Sequence, residues 1–384
     1  MKLEAVPYAD QENLKRLRLA WLKTAGWSIL VGGGAFLWLA AHGPIAFALR
    51  WLAQTTVIWA CMLGLVWHGL PDNRRLGQTA LLPALGSGTI LTLCRGFLIS
   101  SLAGFFLLPH RQLAATAVWL PMLPGMLYLS AGALDYLDGY VARRRNHTTH
   151  LGENLDIQLD ALGLLVAISV AIGWNQLPLV YLTVGAAFYV FRLGIWYCRQ
   201  RGYRVVDLPS RAAARLMAGF QMGFAGIALL PLFSSAVLEA AALVFMAPLL
   251  LGFGWDWLVV CGRLEGRRRD RLQGLVQLIE LGLPLVLRSV ILALVGMTSV
   301  RGCLWELNSQ WGMIWVLLAM LLIGWMGRCA ALLLSLVLAH FLSSQAPSGA
   351  LMTLFVSVTA LMLTGTGRFS LWRPEELFLN RRTG

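Results

Sequence analysis

The stretch DYLDGYVARRRNHTTHLGENLDIQLD, residues 135–160, carries Asp135, Asp138, Asp156 and Asp160 inside an otherwise apolar chain. Carboxylates are costly beside hydrocarbon, so their spacing calls for a chemical reason. Positions 135, 138 and 142 share one face of a helix, and 156 and 160 share one face of the next. The eight residues between Arg143 and Gly152 allow a short turn between two antiparallel helices, so all four carboxylates can meet at one depth. Left unpaired they would repel one another, and divalent cations remove that repulsion. Ligands made only of oxygen favour Mg2+ or Mn2+ over zinc. Two such ions can clamp the attacking and leaving oxygens of a phosphoryl displacement. Gly139 and Ala142 are small enough for a ligand to approach the backbone closely. Arg143 stands beside them as a phosphate partner. Acids that merely balanced Arg143, Arg144 and Arg145 in a solvated loop would need neither helical spacing nor the intervening glycines.

Composition sets the elements that must position these residues. Of 384 residues, 58% are hydrophobic and 13% charged, and the mean hydropathy is +0.69. No water-soluble domain needs that much apolar surface, and the same values exclude disorder. Apolar windows of about 18–25 residues recur, each long enough to cross hydrocarbon as a helix. The short alternating segments of a β-barrel are missing. The expectation is an all-α polytopic membrane protein. Its twelve spans fall near 24–42, 52–71, 88–109, 114–137, 156–173, 178–198, 213–233, 236–262, 275–299, 308–326, 329–344 and 350–366, the tenth and eleventh being poorly separated.

Charge orients these spans. With a cytoplasmic N-terminus, three of the 31 Lys and Arg lie in outer loops (Arg50, Arg111, Arg301) and three inside spans (Arg95, Arg192, Arg288). The other 25 fall on the cytoplasmic side, which is the bias that sets membrane topology. Both termini and all four aspartates then face the cytoplasm, in the cytoplasmic (inner) membrane. The net charge of +13 is accounted for by these loops and does not call for nucleic acid. The polar segment 1–18 contains acids and does not read as a cleavable signal. The six cysteines lie in or beside apolar runs without metal-ligand spacing, and are expected to be small buried hydrophobes.

Written as a pattern, the aspartate stretch is D-x2-D-G-x2-A-R-x8-G-x3-D-x3-D, with Asp135, Asp138, Gly139, Ala142, Arg143, Gly152, Asp156 and Asp160 in the fixed places. It resembles the signature of the CDP-alcohol phosphatidyltransferase family, with every fixed position filled. The resemblance extends over about 80–262, six spans with the motif joining the second and third. It implies a six-helix core at 80–265, preceded at 1–79 by an amphipathic segment and two extra spans. It further implies that the four aspartates hold two divalent ions, Mg2+ or Mn2+, bridging the diphosphate of a CDP-linked substrate. Asp160 would also deprotonate the incoming hydroxyl. Gly139 and Arg143 would contact the nucleotide diphosphate, with Ala142 and Gly152 the remaining small positions of the substrate site. Thr149 corresponds to a further nucleotide-contacting position. Upstream, GTILTLCR (88–95) resembles the family's P-N-x-L-T-x-x-R. Thr92 and Arg95 match it, while Gly88 and Thr89 replace Pro and Asn. Arg211 and Arg215, one turn apart, stand where family members often carry cations for an acceptor's phosphate. Arg192, deeper in its span, is a third acceptor-binding candidate or a partner for an aspartate. The family also implies a homodimer.

The implied reaction is attack of an alcohol oxygen on a phosphorus of the CDP-linked donor, CDP-diacylglycerol foremost, with release of CMP in phospholipid biosynthesis. A CDP-linked small alcohol attacked by a lipid hydroxyl is the alternative of the same class. A cation-coupled transporter would instead place acids near mid-membrane and repeat them in a second half. A purely structural scaffold leaves the aspartate spacing unexplained. The densest charge run, RLEGRRRDRLQG (263–274), marks a boundary before a last unit at 275–384. Its closing LTGTGRFSLW (363–372) resembles the ending of the DoxX-like four-helix membrane proteins, with Trp372 where an acid often stands. Glu280 and Arg288 share one face of the ninth span and could pair.

Overall fold

The computed structural model describes residues 8–108, 110–144, 149–203, 205–206, 212–262, 282–297, 311–344, 349–365, 367 and 370–372. The chain is an all-α polytopic membrane protein, and among the described residues no strand is present. Thirteen helices are described. They are α1 (Tyr8–His42), α2 (Ile45–Gly69), α3 (Ser87–Ala103), α4 (His110–Thr116), α5 (Leu123–Arg144), α6 (His150–Gly173) and α7 (Leu182–Gln200). They continue as α8 (Ala212–Ala228), α9 (Ser235–Val260), α10 (Gly282–Met297), α11 (Trp311–Ile323), α12 (Gly327–Ser344) and α13 (Gly349–Thr364). Six, namely α1, α2, α6, α7, α9 and α12, are long and apolar enough to cross a bilayer, and α3, α10, α11 and α13 are shorter apolar helices. On α1, Trp27, Ile29, Leu30 and Leu37 are each 66–73% exposed. A row of large apolar side chains that open is stable against lipid and not against water.

Several boundaries differ from the sequence expectation. The fourth span was expected at 114–137, but α5 begins only at Leu123, after the short α4 and a 3-10 turn over Leu120–Met122. Pro121 sits inside that turn and Pro124 in the first turn of α5. Both lack the N–H that a helix interior requires, so the apolar run is cut there and the helix continues to Arg144 instead. In the other direction, α6 starts at His150, before the expected 156, because Thr149 caps it. The tenth and eleventh spans separate cleanly as α11 and α12, through Gly324 (φ +72°) and Met326 (φ +47°). Cys61 and Cys94 are exposed rather than buried.

Packing divides the chain into two compact units. The first holds Met1–Asn175 and Ala225–Pro231, the second Gln176–Phe224 and Leu232–Gly384. In the first, α3 is the central helix, packed against α2, α5 and α6. It can be buried on several sides because its neighbours approach at small residues. A Cβ on Gly96 would stand 3.4 Å from Leu159 of α6, and one on Gly163 of α6 would stand 2.9 Å from Ile99 of α3. Gly104, the C-cap of α3, lies against Trp51 and Thr55 of α2. The indole of Trp51 also donates to the Ser101 carbonyl at 3.1 Å. In the second unit, α9 packs against α7, α12 and α13, and α12 packs against α11 and α13. There Tyr181 donates to Gln221, whose amide donates to the Phe245 carbonyl at 2.5 Å. Arg288 donates to Ser370 of the closing stretch at 2.9 Å, while Glu280, its expected partner, lies outside the described residues.

Gly104→Leu should therefore overfill the α2–α3 contact and cost about 1–3 kcal/mol. Gly33→Leu, whose Cβ would meet no atom within 4 Å, should leave stability unchanged. Thermal unfolding of both variants in one detergent tests the comparison.

Candidate active site

Three helices of the first unit meet at one charged cluster. Helix α5 brings Asp135, α6 brings Asp156 and Asp160 one turn apart, and α3 brings Arg95. One carboxylate oxygen from each of the three aspartates lies within 4.8 Å of the other two. The guanidinium of Arg95 sits beneath them and is only 3% exposed. One of its terminal nitrogens donates to Asp135 at 2.5 Å and to Asp156 at 2.8 Å, and the other donates to Asp160. The carboxylates are 35%, 46% and 40% exposed for Asp135, Asp156 and Asp160. The cluster thus has a buried cationic floor and an open acidic rim.

The floor explains how the acids coexist. When all three ionise, the carboxylates exceed the single guanidinium by two negative charges, the charge that one divalent ion neutralises. The donor set is carboxylate oxygen alone, which suits a hard cation and gives zinc no nitrogen or sulfur. Asp138, Gly139, Ala142 and Arg143 continue α5 as helix, and their side chains lie outside the described residues.

The remaining expected residues divide by location. Thr149 is the N-cap of α6, and its hydroxyl oxygen accepts from the Gly152 N–H at 3.1 Å. This is the usual way a threonine satisfies a first-turn donor. A Cβ on Gly152 would stand 3.2 Å from that hydroxyl and 3.6 Å from the Thr89 hydroxyl of α3, so the glycine serves close packing. Thr92 is buried and donates to the Gly88 carbonyl at 3.0 Å. Arg95, which matches the family's upstream stretch, faces the three aspartates. Arg192 is exposed on α7 with its guanidinium 5.7 Å from the Phe188 ring centre. Arg215 is exposed on α8, and Arg211 lies outside the described residues.

One residue was missed from sequence. Tyr128 is buried on α5, within reach of the charges of Arg95, Asp160 and Asp135, and its ring lies against Gly163 of α6 and Gly226 of α8. It precedes Asp135 by seven residues, two turns on the same helix face. That interval was the available signal.

Comparison with known proteins bears on what such a cluster does. Among curated proteins, CDP-diacylglycerol--glycerol-3-phosphate 3-phosphatidyltransferase of Salmonella choleraesuis (strain SC-B67) is 34% identical over 104 residues, 27% of this chain and 52% of the relative. The protein of the same name from Yersinia enterocolitica serotype O:8 is also 34% identical over 104 residues, with the same coverage. That of Yersinia pestis (strain Pestoides F) is 38% identical over 80 residues, 21% of this chain and 40% of the relative. The chain spans about half the length of the curated relatives it matches. No solved structure matches it. The family model for CDP-alcohol phosphatidyltransferase matches residues 87–250, the stretch that contains Arg95 and all four aspartates, and the chain therefore carries a CDP-alcohol phosphatidyltransferase domain there.

Proposed function

We propose that this protein transfers a phosphatidyl group from CDP-diacylglycerol to an alcohol hydroxyl and releases CMP, as a step of phospholipid biosynthesis. The observation that carries the reading is the convergence of Asp135, Asp156 and Asp160 from two helices onto one buried arginine, within the family-matching stretch. The names of the relatives make glycerol 3-phosphate the first acceptor to test. By the excess of Lys and Arg in its loops, the site opens to the cytoplasm of an inner membrane.

Asp135, Asp138, Asp156 and Asp160 would hold divalent ions, Mg2+ or Mn2+. When bound, these would neutralise the diphosphate and the charge that grows on departing CMP. Asp160 accepts the proton of the incoming hydroxyl as the new oxygen–phosphorus bond forms and the bond to CMP breaks. Gly139 and Arg143 lie on the turns of α5 that follow Asp135, suited to the nucleotide diphosphate. Arg215, near the start of α8, and Arg211, which precedes it in the sequence, are cations for an acceptor's phosphate. Arg95 holds the carboxylates facing one another and touches no reacting atom. Residues 275–384 are an accessory bundle, to which α10–α13 supply the four helices that a DoxX-like unit calls for.

The test is release of CMP from labelled CDP-diacylglycerol by the purified chain, with Mg2+ or Mn2+ and a panel of glycerol 3-phosphate, inositol phosphate and serine. Release should require one acceptor and a divalent ion, and stop with EDTA. Asp160→Asn should lower kcat by about a thousandfold. A native chain that releases no acceptor-dependent CMP overturns the donor assignment, and full activity in Asp160→Asn overturns the base. A second prediction concerns charge. Arg95→Gln should cost about 2–3 kcal/mol without added metal, less than breaking a fully buried pair because the carboxylates are partly exposed. Saturating Mn2+ should shrink that deficit, read by thermal unfolding. An equal deficit with and without Mn2+ would show that ion and arginine do not share the same carboxylates.

A further inference from the structure

The family-matching stretch starts at residue 87, yet the first turn of α6 is held by residues that precede it. The N–H of His150, a helix-start donor with no partner inside its own helix, donates to the Arg74 carbonyl at 3.0 Å. Arg75 pairs with Thr149 as an antiparallel bridge. At the end of α2, a Cβ on Gly69 would stand 2.6 Å from Leu151, which is 2% exposed. The N-cap and first two residues of α6, positions 149 to 151, are thus fixed from outside the domain.

The loop that fixes them is itself built. Asn73 is fully buried; its side-chain amide donates to the Ala84 carbonyl at 3.1 Å, and its backbone carbonyl accepts from the Leu82 N–H at 3.0 Å. Arg74 pairs with Leu81 across the loop and donates to the Thr79 carbonyl at 2.6 Å. Both backbone groups of Leu81 are then taken up by side chains of α1. Its N–H donates to Asp10 at 3.2 Å, and its carbonyl accepts from the Asn13 amide at 2.9 Å. The second oxygen of Asp10 stands 3.7 Å from the Arg74 guanidinium. A chain of contacts runs from Asp10 through Leu81 and Arg74 to His150, and α6 carries it on to Asp156, about two turns further along a rigid rod.

We infer that the segment Asp10–Ala84 is a positioning frame for the site, with Asp10 and Asn73 as its positioning residues. It sets the depth and rotation of α6, and so the place of Asp156 and Asp160 against Asp135. Its bearing on catalysis rests on the function proposed above, but its geometric content does not. A shift of an ångström at the start of α6 moves two of the three carboxylates together and leaves the third behind, which is enough to degrade a site that depends on convergence.

Two readouts separate positioning from general stability. Nitroxide side chains introduced by amber suppression at Tyr136 of α5 and Ile157 of α6, both exposed, report the distance between the helices by pulsed EPR. In the native chain the distribution should be narrow. Asp10→Ala and Asn73→Ala should broaden or shift it, and Asp10→Asn, which keeps an acceptor for Leu81, should do so less. Arg16→Ala, which removes only the exposed surface pair with Glu12, should change nothing. Mn2+ titration of unlabelled protein by EPR should show affinity about tenfold weaker in Asp10→Ala, as for loss of a residue that supports metal ligands. If the distance distribution and Mn2+ affinity stay native while only the melting temperature falls, the frame is structural ballast and the inference is overturned. An unchanged distribution in Asp10→Ala overturns it on its own. Lack of CMP release by a native chain with a narrow distribution would count against the proposed reaction and not against the frame. Should Asp10→Ala fail to fold, Asp10→Asn and Asn13→Ala carry the same comparison.

Discussion

The arrangement of the first unit depends on one electrostatic coupling, the guanidinium of Arg95 against the carboxylates of Asp135, Asp156 and Asp160. A buried arginine inside a membrane-spanning bundle is tolerated only with partners, and three neighbouring carboxylates are tolerated only with a cation. Each requirement meets the other. The contacts of 2.5 Å and 2.8 Å to Asp135 and Asp156 place α3, α5 and α6 at a common crossing, so the charges fix which faces of three helices must meet. Leaving the carboxylates with 35–46% exposure while the arginine is almost fully covered turns the acidic side of the cluster outward, where a cation can reach it.

That crossing is possible because α3 is narrow where it meets α6. Gly96 and Gly163 let α3 and α6 approach at the level of Leu159 and Ile99. Thr92, Ser100 and Ser101 each donate to a carbonyl one turn back on their own helix, at 3.0, 2.8 and 2.8 Å. Such back-bonding gives a buried hydroxyl an acceptor within its own helix. Arg95 reaches across to α5 and α6, and its reach is what the aspartates receive.

How much of this was legible in the sequence follows from the range of each interaction. The pairing of Asp156 with Asp160, and their meeting with Asp135, is a matter of helical period and a short connection, and the sequence reading anticipated both. Arg95 lies 40 residues before Asp135 in the chain, and no periodicity links them, so its partners could not be read. Resemblance drew attention to Arg95 without naming its partners. The late start of α5 was hidden because Pro121 and Pro124 stand singly within an apolar run that continues on both sides. The start of α6 at His150 had a local signal, Thr149 as N-cap followed by Glu153 in the first turn, which the apolar-window reading passed over.

The frame formed by α1 and the 73–84 loop follows from the same physics at the membrane edge. An α-helix that begins in the membrane interior has no water for its first N–H groups, and an unmet donor there is expensive. The charged cluster begins only two turns into α6, so that helix cannot start deep, and its first turn falls where water competes with protein for every backbone bond. A cap by Thr149 settles one donor. The carbonyl of Arg74 settles another, and it is held rigidly because Asn73 is buried and Leu81 is clamped by Asp10 and Asn13. Helix start, capping loop and upstream helix thus form one hydrogen-bonded layer, and the two acids that α6 contributes inherit their position from it.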